Sequence, residues 1–232
     1  MRRWSGAGPA DWERYHAMIA ERLRPGMTVV DVGCGDGGVK PFPWEQHRRV
    51  RLIGLDPDPA AEANPMLDDF RLLDPEREWP VETGGADLVL ARYVLEHVAR
   101  PEAFLAEARR ALTPGGELLL LTPNRRHPAM LASAALPLAL KRRILRRARG
   151  TAEDDVFETH YRMNTPGALG RQLRQAGFEV QRLEARELEP CGYLEGTAAG
   201  YAAACLWYAA VTATGLERFI GAHILARAVC LG

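Results

Sequence analysis

Val29-Val30-Asp31-Val32-Gly33-Cys34-Gly35-Asp36-Gly37-Gly38 is the stretch that decides the fold. Three β-branched valines around one aspartate make a strand, and the strand stops in a glycine-rich loop. A strand that ends this way presents bare backbone N–H groups. Without Cβ atoms in the loop, a ligand can approach the main chain closely. At the start of a doubly wound α/β sheet, such a loop is a nucleotide or nucleoside cradle at the carboxyl end of the first strand.

Outward from this loop the chain alternates helix and strand patterns. Asp11 to Leu23 has Trp12, Tyr15, Ile19 and Leu23 at helical spacing, and Pro25-Gly26 ends the helix. Arg51 to Asp56 is a second strand that closes on a carboxylate, Phe70 to Asp74 a third and Ala86 to Ala91 a fourth. A helix is expected around Val94 to Val98. Pro101 to Leu112 is an amphipathic helix, with Phe104, Leu105, Ala108 and Leu112 on one face. Thr113-Pro114-Gly115-Gly116 interrupts the pattern before the strand Glu117 to Thr122. Thr165 to Ala176 is a further helix, with Gly177 placed as its C′ residue. Phe178 to Leu183 and Ala222 to Cys230 complete the strands. Alternation of this kind implies a doubly wound parallel sheet.

The bulk composition narrows the partners. The chain has 232 residues, enough for one α/β domain with insertions. Lys+Arg and Asp+Glu are 30 each, so no basic excess points to a nucleic acid. Cys34, Cys191, Cys205 and Cys230 form no CxxC pair, which argues against a zinc site; no metal is expected. The N-terminus lacks the apolar run of a secretion signal. Free thiols in a reducing, cytoplasmic setting are the expectation.

Gly33 to Gly38 satisfies G-x-G-x-x-G, and Asp56 follows about twenty residues on, as in a dinucleotide-binding unit. Three features point elsewhere. Asp31 sits inside the strand end, where its carboxylate can reach an amino or ammonium group. Asp74 follows the third strand, where it can accept from an adenine amino group. The run Ala86-Asp87-Leu88-Val89-Leu90-Ala91-Arg92-Tyr93-Val94-Leu95-Glu96-His97-Val98 is followed by Leu112-Thr113-Pro114-Gly115-Gly116-Glu117-Leu118-Leu119-Leu120. This ordered set resembles the class I S-adenosylmethionine-dependent methyltransferases of the methyltransferase domain 11 type, over about Met27 to Asn124.

The resemblance implies a single class I methyltransferase domain over residues 1–232. Its sheet would be a mostly parallel, seven-stranded, Rossmann-like one with the last strand antiparallel and helical insertions above it. The implied cofactor is S-adenosylmethionine, with S-adenosylhomocysteine as product. Asp31, Gly33, Cys34 and Gly35 match the motif around the cofactor's methionine half. Asp56 matches the acid that binds the ribose hydroxyls, with Pro57 against the adenine and Asp74 as a further adenine contact. Ala91, Arg92 and Tyr93 match the strand end beside the sulfonium. The stretch from Ala60 to Glu82 departs from the family pattern in length and composition, which loosens the placement of Asp74.

Methyl transfer from a sulfonium needs alignment above all, and a base only where the acceptor carries a proton. No catalytic triad is legible. His97, His127, His160 and Tyr161 are the candidates for a base or an acceptor contact, with Asn124 beside them; each also fits a hydrogen-bonded loop position. Two insertions, residues 128–160 and 190–217, leave the ligand edge of the sheet and are placed to cover the acceptor. Pro128 to Leu140 is apolar, and a basic run, Lys141 to Arg149, follows it. That run fits an anionic lipid surface or a solvated face paired with Glu153-Asp154-Asp155. No charge lies between Glu195 and Glu217, but alanine, glycine and threonine dominate there, so no transmembrane span is expected. Tyr193, Tyr201, Trp207 and Tyr208 fit either a small hydrophobic acceptor or a homodimer interface. A dinucleotide-dependent oxidoreductase and a non-catalytic scaffold are the competing functions.

Overall fold

In the computed structural model, which describes residues 11–38, 41–47, 49–128, 130–131, 158–187 and 198–232, seven strands pair into one sheet. They are β1 (Thr28–Val32), β2 (Arg51–Asp56), β3 (Asp69–Leu72), β4 (Ala86–Arg92), β5 (Leu112–Pro123), β6 (Phe178–Arg186) and β7 (His223–Cys230). Their spatial order is β3-β2-β1-β4-β5-β7-β6. The first five run parallel, and β7 runs antiparallel between β5 and β6. Among the described residues, the helices are α1 (Asp11–Ala20), α2 (Pro101–Ala111), α3 (Pro166–Gln175) and α4 (Ala198–Ala213), with a one-turn helix at Glu217–Ile220.

The consecutive leucines of β5 follow from burial on both faces. Leu118 and Leu120 join one core with Phe104, Leu105 and Leu169, while Leu119 and Leu121 join the other with Tyr15 and Ile19. Val30 and Val29 divide between the same two cores. Tyr15 also donates its hydroxyl to the Leu119 carbonyl at 3.2 Å, which ties α1 to the middle of the sheet.

Several elements differ in extent from the sequence pattern. α1 ends at Ala20, although Leu23 still packs in the core. The stretch around Val94 to Val98 is a single 3-10 turn, Leu95–His97, rather than a helix. β5 starts at Leu112, because Thr113 to Gly116 is absorbed as an irregularity between the Ala86–Leu112 and Leu88–Glu117 pairs. Gly115, at φ +80, supplies the backbone angle this needs. β6 runs on to Arg186, three residues past the expected end.

Two consequences position the site. β1 pairs with β2 on one side and β4 on the other, so the chain's direction of travel reverses at β1 and a crevice opens at its carboxyl end. β5 and β6 end at this same edge, where His223 of β7 pairs with both Pro123 and Arg186. Most of the 128–160 insertion, including the basic run, and the first part of the 190–217 insertion lie outside the described residues. The later part of the second insertion is α4. No described helix is long and apolar enough to cross a membrane.

Candidate cofactor and acceptor site

The loop after β1 is shaped by contacts only glycine permits. Gly33 has φ +70 and donates its N–H to Leu55 O at 2.7 Å, and a Cβ there would collide with Val94 Cγ2. At Gly37, φ +78, a Cβ would stand 2.7 Å from Asn64 Oδ1. Gly35 also has a positive φ, +55, but nothing lies within 4 Å of its Cβ position, so this part of the loop is open to a ligand. Asn64 is buried and clamps the loop by donating to Gly35 O at 3.0 Å and Cys34 O at 3.4 Å.

Asp56 closes β2 and is buried. Its Oδ2 accepts from Gly35 N at 2.9 Å and its Oδ1 from Asp58 N at 2.9 Å. One carboxylate therefore ties the glycine loop to the turn after β2. Each oxygen keeps lone-pair capacity for a further hydroxyl. Pro57 beside it is exposed. The Leu73 N–H bonds to Asp56 O at 2.9 Å and carries the chain past β3 to Asp74. Asp74 is exposed, accepts from Glu76 N at 2.9 Å and lies 3.1 Å from Arg77 Nε.

Asp31 is half-buried, one residue before the end of β1. Burial pushes its carboxyl up to about 7; Arg92 draws it down and Asp56 raises it further. Asp31 and Arg92 line a cavity of about 40 Å³ with Tyr15, His16 and Cys34. Burial and Arg92 lower the His16 imidazole to about 4. Burial, with Asp31 and Asp56, lifts the Cys34 thiol to about 12, so it stays protonated. The crevice therefore has a proton-sensitive carboxyl and an inert thiol. A cavity of about 780 Å³ lies at the opposite edge between α2 and α3, and none of these residues lines it.

At the end of β4, Ala91 is buried and Arg92 half-buried. Tyr93 is 38% exposed and held at φ +59, a strained angle for a bulky residue. Its ring meets His223 of β7 edge-on, 5.7 Å between centroids. Glu96, whose surroundings in sequence fit a solvated helix, is buried instead. It accepts from Thr122 Oγ1 at 3.0 Å, and Thr122 accepts in turn from Asn164 Nδ2 at 2.6 Å. Burial raises the Glu96 carboxyl above the usual range, against the pull of its backbone contacts, His97 and Thr122. The Glu96 carbonyl also takes the N–H groups of His160 at 2.7 Å and Tyr161 at 3.1 Å.

The remaining candidates separate. His97 Nδ1 lies 2.9 Å from Glu158 O near the surface. Tyr161 is held at φ +50. Asn124 is fully buried and donates to Phe219 O and Gly221 O, which makes it a brace for the entry to β7. His127 is buried, with Nε2 3.2 Å from Oε2 of Glu187. Asn64, Thr122, Asn164 and Glu187 were not singled out by the sequence pattern; their partners lie far away along the chain, and no local signal marks them.

Residues 6–183 match a methyltransferase domain family. The chain is 29% identical over 203 residues to the ubiquinone biosynthesis O-methyltransferase of Xanthomonas axonopodis pv. citri, covering 82% of this chain and 80% of that protein. The protein of the same description from Azorhizobium caulinodans is 31% identical over 187 residues, 76% of this chain and 69% of its own length. An S-adenosylmethionine-dependent methyltransferase structure from Mesorhizobium loti shares the fold with a TM-score of 0.59 at 22% identity, over 96% of this chain and 98% of that one. So does the geranyl diphosphate C-methyltransferase of Streptomyces coelicolor A3(2), solved with Mg2+, geranyl diphosphate and S-adenosylhomocysteine, with a TM-score of 0.58 at 16% identity over 95% and 79%.

Proposed function

The chain belongs to the S-adenosylmethionine-dependent methyltransferases, and on that premise we propose that it methylates a hydroxyl oxygen of a small, lipophilic acceptor. The observation that carries the cofactor half is the cradle itself: Gly35 open beside the buried Asp56, with Asp31 below. The bound cofactor supplies a methyl group on a positively charged sulfur. Asp31 faces its cationic amino-acid half, with Gly33, Cys34 and Gly35 wrapped around it. Asp56 takes the ribose hydroxyls, Pro57 and Asp74 border the adenine, and Ala91, Arg92 and Tyr93 flank the sulfur. The spacing of Gly33 to Gly38 meets the dinucleotide pattern without a dinucleotide chemistry behind it.

For the acceptor half, the support is twofold. The two relatives carry O-methyltransferase in their descriptions. α4 has no charged residue along its length and meets the ligand edge through Trp207, whose ring lies 6.2 Å from that of His127. The whole chain acts as one domain, and the 128–160 and 190–217 stretches cover the acceptor. His97, His127, His160 and Tyr161 are the groups from which a base for the hydroxyl proton is drawn.

Isothermal calorimetry tests this directly. S-adenosylhomocysteine binds in the micromolar range and NAD(H) does not. Asp56→Ala weakens S-adenosylhomocysteine binding by about 2 kcal/mol through lost charge-assisted hydrogen bonds. Tight NAD(H) binding, or an Asp56→Ala variant with wild-type affinity, overturns the assignment.

A further inference from the structure

The geometry points to Glu187 and Trp207 as a pair that recognises a hydroxyl group on the acceptor; this rests on the lipophilic, hydroxylated acceptor proposed above. Glu187 stands one residue past β6 and is only 1% exposed. Its Oε2 accepts from Ala222 N at 3.1 Å and lies 3.2 Å from His127 Nε2. Its Oε1 is buried and accepts from nothing. Trp207 comes from α4 and meets the same imidazole edge-on, 6.2 Å between ring centroids, and its indole N–H is likewise buried with no acceptor.

A buried polar atom without a partner forfeits its hydration with no return, and native structures hold few of them. Here one is a lone acceptor and the other a lone donor, and both residues contact His127. Few chemical groups answer both. A hydroxyl donates one hydrogen bond and accepts others, so it satisfies Oε1 and the indole N–H together. An ether or a ketone leaves Oε1 unpaired, a carboxylate is repelled by Glu187, and an ammonium group leaves the indole N–H unpaired.

The place of this pair in the sheet gives the hydroxyl its role. Glu187 is anchored to Ala222 at the entry to β7, and β7 is two strand spacings from β4, roughly 10 Å. The reacting oxygen belongs at the end of β4, beside Tyr93. The hydroxyl held by Glu187 and Trp207 is therefore a second one that anchors the acceptor. The Tyr93 and His223 rings, in contact across the end of β5, span the interval between the two positions. Glu187 and Trp207 then set specificity and take no part in the transfer.

The test uses the full chain saturated with S-adenosylhomocysteine and two probes, hexylresorcinol and its dimethyl ether, with binding read by calorimetry. Wild-type protein prefers hexylresorcinol by at least about tenfold. Glu187→Gln keeps an oxygen for Ala222 N but has none to spare for the ligand, and the preference collapses towards unity. Trp207→Phe keeps the ring against His127 and loses only the N–H; it weakens hexylresorcinol several-fold and leaves the dimethyl ether unchanged. Both variants retain wild-type affinity for S-adenosylhomocysteine. Equal binding of the two probes by wild-type protein, or an undiminished preference in Trp207→Phe, overturns the proposal, even where Glu187→Gln fails to fold. Failure to bind S-adenosylhomocysteine at all instead overturns the cofactor assignment, so the two outcomes stay separate.

Discussion

Around the end of β1, the polar groups at the sheet edge are backbone atoms and short side chains gathered between Asp31 and Asn64. Around the ends of β5, β6 and β7, they are long side chains brought together from Glu96, Thr122, His127, Asn164, Glu187 and Trp207. The first region recognises with glycine conformations that a single mutation distorts. The second recognises with a buried polar network that many sequences could rebuild. On the assignment proposed above, one half of the edge is a fixed socket for the cofactor, and the other is adjustable to an acceptor.

The largest effect expected is in the socket. Gly33→Ala combines a left-handed backbone angle with the collision against Val94, and destabilises the fold by about 3 kcal/mol. Gly35→Ala meets no protein atom, so it costs only the strain of its angle, about 1–2 kcal/mol, while S-adenosylhomocysteine affinity falls more than tenfold. Urea unfolding and calorimetry on the pair separate the two costs. If Gly35→Ala binds as wild type does, the loop is no cradle and the contrast between the halves fails.

The acceptor side should break in the opposite way. Thr122→Val leaves the buried Glu96 and Asn164 without their shared hydroxyl and lowers stability by about 1–3 kcal/mol, with S-adenosylhomocysteine affinity untouched. An unchanged unfolding midpoint would show that this network contributes nothing.

The smallest effect sharpens the electrostatics of the socket. The folded protein holds the Asp31 proton up to about pH 7, whereas the unfolded chain releases it near pH 4. Between those values the unfolded state has given up a proton that the folded state keeps. Asp31 therefore lowers stability as pH rises through that window, and its effect is constant above it. Asp31→Asn should raise the melting temperature by a few degrees at pH 8 and change it little below pH 4. In the wild type, the ligand's ammonium group favours ionised Asp31, so S-adenosylhomocysteine binds more tightly at pH 8 than at pH 6. Calorimetry in buffers of different ionisation enthalpy reads the released proton. A pH-independent affinity would remove Asp31 from the ligand's surroundings.

The contrast also explains what the sequence disclosed. The glycine run, Asp56 at a strand end and the consecutive leucines of β5 are local patterns, and their physical causes act within a few residues. The extents missed were those that tertiary pairing decides: Gly115 lets Thr113 to Gly116 continue a strand, and Val94 to Val98 forms only one turn. Glu96 looked solvated because nothing nearby announces the Thr122 hydroxyl that receives it. Glu187 was illegible for the same reason, since its two partners enter from the loop after β5 and the start of β7.

The antiparallel placement of β7 has an evolutionary consequence. Arg186 and His223 are paired neighbours, so the stretch 187–222 departs from and returns to one point of the sheet. Closing a loop already pinned at both ends costs only about 0.6 kcal/mol more for each doubling of its length. The excursion that carries Trp207 can therefore be lengthened, shortened or replaced with little penalty to folding. New acceptors can be tried by rewriting one detour while the strands that hold the methyl donor stay as they are.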